Sequence, residues 1–529
     1  MRTKGEKKWR TSSSLKLLLC LFWLVAIILP LFKMLSSMVQ VDVGAILSSK
    51  KFIKALVHSL LSAFTATAFS VGLSGILAWC VARTNIKCKS VINTLLSVPM
   101  LIPSISHGMG LIIILGSNGW LSRLIGLNGG IYGFWGIVLG SVMYSFPVAY
   151  LMLYDVLRYE DGTAYEAADV MGLSFANKFF AVTLPYLRKP LISILFATFT
   201  MVITDYGVPL MVGGKYITLP VMMYQDVIGM LDFGKGSVIG TILLFPALIA
   251  CILDISNKDK GNSAFVGKAY PIKVNPLRDA LSLGLCILVL IAVFTPIASF
   301  AVLGFINKYP LDMSFSLSNA RQALNMGALL YLKNSLIIAA SVAVLGTALA
   351  VFNAYLTARQ KTKVSYALHL MSITSLAIPG IVLGLAYIMF FKKTFLYGTM
   401  AILFLVNSMH FFSSPYLMMY NTFGKINENL ENVGETMGIK RAYIIKDVLL
   451  PQSKDTILEM MGYFFVNCMM TISAVSFLST TDNKPLALMI TRFEGQMQLE
   501  CAAFVSLLIL AVNVLMKCAI YLIRKKSTQ

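Results

Sequence analysis

YEAADVMGLSFANKFFAVTLPYL (residues 165–187) and ENVGETMGIKRAYIIKDVLLPQ (residues 431–452) are the two stretches on which the reading of this chain turns. Each carries a Met-Gly pair, Met171-Gly172 and Met437-Gly438. Each then closes on Leu-Pro at the same spacing, Leu184-Pro185 and Leu450-Pro451. A short helical pattern precedes each glycine. Glycine accepts positive φ without a steric penalty, so a sharp turn is predicted there. A second helical piece follows. It is predicted to stop or kink near the proline, which lacks an amide hydrogen and crowds the preceding turn. The expected product, twice over, is a short helix lying across a membrane surface and exposed to water.

The segments around these stretches are apolar enough for a bilayer. Of 529 residues, 57% are hydrophobic and 13% charged, and the mean hydropathy is +0.78. Soluble chains carry about 25% charged residues, whereas each bilayer-spanning helix needs about 20 apolar residues. Such runs lie near 17–39, 57–82, 91–115, 131–157, 190–212 and 237–256, then near 279–306, 334–358, 366–391, 397–422, 456–480 and 501–523. They predict an all-α membrane protein of twelve spans in contact with the lipid bilayer. The net charge of +21 does not indicate nucleic acid, because the basic residues sit in short clusters between apolar runs. The eight cysteines form no CxxC pair, so neither a disulfide framework nor a zinc site is expected. The basic N-terminus and the apolar run 17–32 look like a secretory signal. No small-x-small cleavage site follows, and the run is expected to stay as the first helix.

Lysine and arginine set the orientation. With the N-terminus inside, 29 of the 44 basic residues fall in cytoplasmic segments and 13 in external loops, as the positive-inside rule requires. Both termini are therefore expected in the cytoplasm. Lys50, Lys51 and Lys54 fall outside, and are expected on an interfacial helix where lysines can snorkel. The chain then divides into a basic tail (1–16), a first transmembrane unit (17–256), a polar cytoplasmic linker (257–278), a second unit (279–523) and a short tail (524–529).

The two units repeat one another. At an offset of 276, His58-Ser59-Leu60 aligns with Asn334-Ser335-Leu336, Ala82-Arg83 with Ala358-Arg359, Pro103 with Pro379 and Gly108 with Gly384. Beyond a ten-residue contraction the offset becomes 266. There Tyr150-Leu151-Met152 aligns with Tyr416-Leu417-Met418, and the two Met-Gly and Leu-Pro pairs coincide. Six spans separate equivalent positions, so the repeats have the same orientation and should enclose a pathway about an axis along the membrane normal.

The first of the opening stretches resembles the EAA loop of type I ABC-importer permeases, the inner-membrane components of binding-protein-dependent transport systems. Glu166-Ala167-Ala168, Gly172 and Leu184-Pro185 match that pattern in full. In the second copy Asn432-Val433-Gly434 stand where Glu-Ala-Ala would, with Glu431 one place early, while Gly438, Leu450 and Pro451 match. The resemblance implies a methionine-permease-like transmembrane domain in each repeat, in a bacterial inner membrane. It implies that each loop docks in a groove of one cytoplasmic ATPase, so that one chain takes two ATPase copies. An extracytoplasmic solute-binding protein would deliver the solute, and alternating access would move it. The chain has no GxxxxGK[ST] run to cradle phosphates, so ATP hydrolysis is expected on the partner chains and no cofactor on this one.

Asp205 falls in the apolar run 191–213. A carboxylate at the bilayer centre costs about 2.5–3.5 kcal/mol on insertion scales, so it should face a pathway or a partner. The string DYGVPLMVGG, which begins at Asp205, resembles permeases for iron(III), thiamine, polyamines and aminoethylphosphonate, in which this span lines the channel. Asp205 and Tyr206 are thus the candidate pathway residues, with helix bracing as the alternative for Asp205. His107 and His410 are expected to be hydrogen-bonded packing residues. No histidines have metal-ligand spacing, and no nucleophile and base stand out, so an enzyme is not indicated. A secondary transporter with a six-plus-six repeat would need ion-coupling groups within its spans and would not need two matched loops.

Overall fold

The computed structural model describes residues 4–126, 129–257, 268, 270, 272, 274–360, 362–427 and 429–528. Side chains at 4–13, 175, 251, 254–257, 527 and 528 are left out of the description. Most of the expected linker, 257–278, lies outside the described residues. Apart from one antiparallel hairpin, Ile306–Lys308 with Asp312–Phe315, the described regular structure is helical.

Among the described residues nine helices are long and apolar enough to cross a membrane: Ser14–Gln40, Lys50–Arg83, Ser104–Ile125, Phe134–Arg158, Ala176–Ile203, Phe233–Ala250, Pro276–Leu303, Ala328–Arg359 and Leu499–Lys526. Two bent pairs bring the number to eleven. Lys363–Ala377 meets Gly380–Phe391 at 109°, and Met400–Phe411 meets Ser413–Lys425 at 53°. The twelfth expected span, 456–480, is a 17-residue helix, Lys454–Met470, that ends where Thr471 turns extended.

The breaks have a sequence cause. The expected span 91–115 is a helix over Lys89–Ser97, a tight turn over Val98–Leu101, and a second helix over Ser104–Leu115. Ile102 before Pro103 is extended, φ −121° and ψ 148°, and Ile378 before Pro379 is extended too, φ −115° and ψ 110°. Proline crowds the residue before it out of the helical region. The second repeat breaks at the same register, with Thr374–Ala377 in the tight turn and Gly380–Phe391 resuming the helix. The sequence repeat is thus a repeat of backbone. Lys50, Lys51 and Lys54 do not form a separate interfacial helix. They begin the uninterrupted helix Lys50–Arg83, capped by Ser49, whose Oγ accepts the Phe52 amide at 3.2 Å.

The two repeats interlock through their first helices. The Leu29–Ser37 part of the first span packs on Gly380–Phe391 of the second repeat, and Pro276–Leu303 packs on Ser104–Leu115 of the first. Tyr387 donates its hydroxyl to the Ala26 carbonyl at 2.6 Å, and Trp23 meets Phe412 edge-on at 4.6 Å. Polar ties repeat the exchange. Lys16 Nζ donates to Gln360 O at 3.1 Å, and Asp279 Oδ1 accepts the Asn85 amide at 3.2 Å. Close approach depends on small residues here. A Cβ on Gly110 would stand 2.8 Å from Pro296, and one on Gly108 2.8 Å from Met211, so this glycine cluster is a packing face.

Candidate functional site

The two loops are built on one backbone. In the first, Thr163–Val170 is helical, Met171 caps it, Gly172 turns the chain at φ +69°, Phe175–Lys178 resumes the helix and Phe179–Thr183 forms a π turn. In the second, Leu430–Thr436, Met437, Gly438 at φ +72°, Arg441–Ile444 and Ile445–Leu449 repeat each step. The closing hydrogen bonds match as well. Gly172 N–H donates to Asp169 O at 3.0 Å and Leu173 N–H to Ala168 O at 3.0 Å. Gly438 N–H donates to Glu435 O at 3.1 Å and Ile439 N–H to Gly434 O at 2.8 Å. This paired bonding satisfies the last helix carbonyls and needs a left-handed residue at the glycine. Among the described residues, no heavy atom beyond the glycine and its chain neighbours lies within 4 Å of a Cβ placed on Gly172 or Gly438, so the demand at both is conformational. Gly434 differs: its Cβ would stand 2.3 Å from Ile444 Cδ1, so the small residue lets the two helical pieces close. Ala168, at the same register, is buried, and Ala167 is exposed.

The two prolines differ in outcome: the second helix ends at Gln452, next to Pro451, as expected, whereas the first runs on past Pro185. Leu184 N–H bonds Phe179 O and Leu450 N–H bonds Ile445 O, each five residues back. The wider turn makes room for the rings of Pro185 and Pro451 at the next position. In the first repeat the helix runs from the loop straight into the span, Ala176–Ile203.

Under each loop lies a buried ion pair. Arg83 pairs with Glu160, and Arg359 at the same register pairs with Glu431, Nε to Oε1 at 2.8 Å. The acids come from different places. Tyr165 occupies the register of Glu431; its hydroxyl donates to Glu160 Oε1 at 2.9 Å. Burial pushes the Glu160 carboxyl up, and the Arg83 guanidinium opposes it. Glu166 is half-exposed and pairs with Lys268 Nζ at 2.6 Å. The chain there also takes the Gly162 amide on Lys268 O at 2.7 Å, and Tyr270 lies 3.8 Å under the Arg83 guanidinium. Asn432 is exposed. The sequence repeat marked the two arginines, but the acid exchange and the Lys268 contact follow only from the packing.

A second feature lies between the repeats. A cavity of about 510 Å³ and an adjoining recess of about 110 Å³ share Tyr144, Asp205, His410, Phe411 and Ser473. At the 266-residue offset Tyr144 is the counterpart of His410, and Asp205 of Thr471, which also lines the recess. Gly207 meets Ser104 in one repeat, and Gly380 meets Ser473 in the other: a Cβ on either glycine would stand within 2.5 Å of the serine Oγ. Asp205 is not at a span centre. It sits in the break between Leu184–Ile203 and Gly207–Val212, accepting Ser104 Oγ at 2.7 Å, the Gly207 amide at 3.3 Å and the Val208 amide at 3.0 Å. It braces three segments and lines the cavity at once. Among the described residues it is the one Asp, Glu, Lys or Arg on that lining. Tyr206 is buried, bonded to Ser476 Oγ at 2.8 Å, and touches only the recess. His107 is a packing residue bonded to Pro99 O at 3.2 Å, whereas His410 faces the cavity.

Comparison with known proteins accounts for the duplicated architecture. The sequence profile of the binding-protein-dependent transport system inner membrane component matches twice, over residues 70–257 and 346–529. FbpB 1 of Haemophilus influenzae, assigned as a ferric transport system permease protein, is 26% identical over 509 residues, 91% of this chain and 79% of its own length. The ferric transport system permease protein FbpB of Actinobacillus pleuropneumoniae is 25% identical over 409 residues, 73% of this chain and 59% of its own length. The molybdenum transport system permease protein ModB of Azotobacter vinelandii is 27% identical over 191 residues, 35% of this chain and 84% of its own length. With two matched repeats and a bundle of apolar helices, the chain belongs to the family of binding-protein-dependent transport system inner membrane components, and is a multi-pass ABC-importer permease subunit, not an enzyme.

Proposed function

We propose that the cavity between the repeats is the translocation pathway and that residues 163–185 and 429–451 each dock one copy of the same ATPase. The observation that carries the reading is the coincidence of the two loops, turn for turn, through Gly172 at φ +69° and Gly438 at φ +72°. Two equal surface turns on one chain suit two copies of one partner. ABC permeases work with an ATPase and a solute-binding protein. On this reading both loops and both termini lie in the cytoplasm, and closure of the ATPase pair rocks the attached helices between inward-open and outward-open states. Glu166, Ala167, Ala168, Leu184 and Pro185 belong to the first docking loop, and Asn432, Gly434, Leu450 and Pro451 to the second.

The cargo is a small charged solute. Asp205, the one charged residue on the lining among the described residues, favours a cation, such as the ferric iron named for two relatives, over the sulfate named for a shorter one. Thiamine and polyamines fit the same electrostatics, whereas aminoethylphosphonate, which also carries negative charge, fits it less well.

The test is reconstitution of the permease with its ATPase in liposomes, with native mass and uptake as readouts. Two ATPase copies per chain and ATP-dependent entry of iron(III) supplied by the binding protein are expected. One copy per chain would overturn the paired docking, and uptake of sulfate in place of a cation would overturn the cargo.

A further inference from the structure

Docking two copies of one ATPase requires that one partner surface fit both loops, yet the loops differ at most exposed places. At the 266-residue offset Glu166 stands against Asn432, Ser174 against Lys440 and Phe180 against Lys446. The acid they share, Asp169 and Glu435, is taken up inside each loop by Lys178 and Arg441. Among the described residues one register alone exposes a large apolar side chain in both: Met171 at 74% and Met437 at 70%. Their backbones coincide too. Both are helix C-caps, at φ −74° and −82°, and both amides are bonded at 3.0 Å, to Ala167 O and Val433 O. Each methionine thus stands at the tip of a fixed turn, next to a glycine whose surroundings are open. An unbranched, polarizable thioether side chain adapts its shape to an apolar pocket.

We propose that Met171 and Met437 are the equivalent anchors of the two loops, each seated in the same apolar pocket of its ATPase copy. The charged neighbours, unlike between the loops, contribute little to that shared fit. The assignment rests on the docking reading above and adds to it the side chain that the partner recognises.

The experiment uses the full permease co-expressed with its ATPase. Met171→Asp, Met437→Asp, the double variant, Met171→Leu and Met437→Leu are compared with Gly172→Val and Gly438→Val. The methionines are exposed, so the aspartate variants should insert and unfold as the parent does. Each single aspartate should weaken retention of one ATPase copy about tenfold, in the range of an interface hot spot. The double variant should retain neither, and leucine should restore retention. If both aspartate variants keep two ATPase copies while the glycine variants lose them, the anchor assignment fails and the docking reading stands. If the glycine variants also keep two copies with full stimulated hydrolysis, the docking reading fails and takes the anchor with it. Loss at one methionine only overturns their equivalence.

Discussion

Arg359 grips Glu431, Nε to Oε1 at 2.8 Å, so the second loop uses as an internal brace the acid that stands nearest to the missing Glu-Ala-Ala. The first loop reaches the same end with Arg83 and Glu160, which leaves Glu166 half-exposed on the surface against Lys268. The loops are equal in shape and unequal in where their acids go.

This inequality can be measured. Glu431→Gln breaks a buried ion pair, and removing one partner of such a pair costs about 3–5 kcal/mol. Glu166→Gln alters a surface pair, where changes of about 1 kcal/mol or less are the rule. Thermal unfolding of the purified permease should therefore drop clearly for Glu431→Gln and little for Glu166→Gln. Equal shifts would show that the Arg359 pair does not hold the second loop.

The two turning glycines should be replaceable by asparagine but not by valine. Space around both is open, so only the left-handed backbone is demanding. Asparagine visits that region readily, while a β-branched residue held there costs about 1–3 kcal/mol. Hydrolysis stimulated by the binding protein should persist in Gly172→Asn and Gly438→Asn and fall in the two valine variants. Full stimulation in the valine variants would count against docking by these turns.

Asp205 combines bracing with a place on the cavity wall, and two variants separate the roles. Asp205→Asn keeps an oxygen for the Val208 amide but removes the charge, so assembly with the ATPase should hold while uptake of a cationic cargo falls about tenfold or more. Asp205→Ala also strips the bonds to the Gly207 and Val208 amides, and should lower thermal stability by about 1 kcal/mol in addition. Unchanged uptake in a well-expressed Asp205→Asn variant would leave the residue as a brace only.

Orientation is open to reporter fusions. Fusions after Lys89, Arg188 and Arg359 should report cytoplasm, and fusions near Val43, Lys215 and Lys484 the outer side, because the basic residues are distributed that way. An external signal at Arg188 would place the first loop beyond the reach of an ATPase.

The sequence by itself determined that this is a helical membrane protein and that it is doubled. Runs of about 20 apolar residues leave a chain few options in water, and offsets of 276 and 266 linked Pro103 to Pro379 and Gly172 to Gly438 before any coordinate was needed. Those pairs were legible because proline and glycine act locally, through the backbone of their own residue. Whether Leu184-Pro185 stops a helix was not legible, because the same π turn precedes both Leu-Pro pairs and only the second helix breaks, at Ser453. Nor was the place of Asp205, since its break is fixed by Ser104, some hundred residues away in sequence and 2.7 Å away in space. The tertiary structure alone brought Tyr144 to His410, set Glu160 and Glu431 under unlike parts of like loops, and laid Lys268 on Glu166. Each of these depends on which helices pack together, and apolar periodicity does not encode the choice among similar apolar faces.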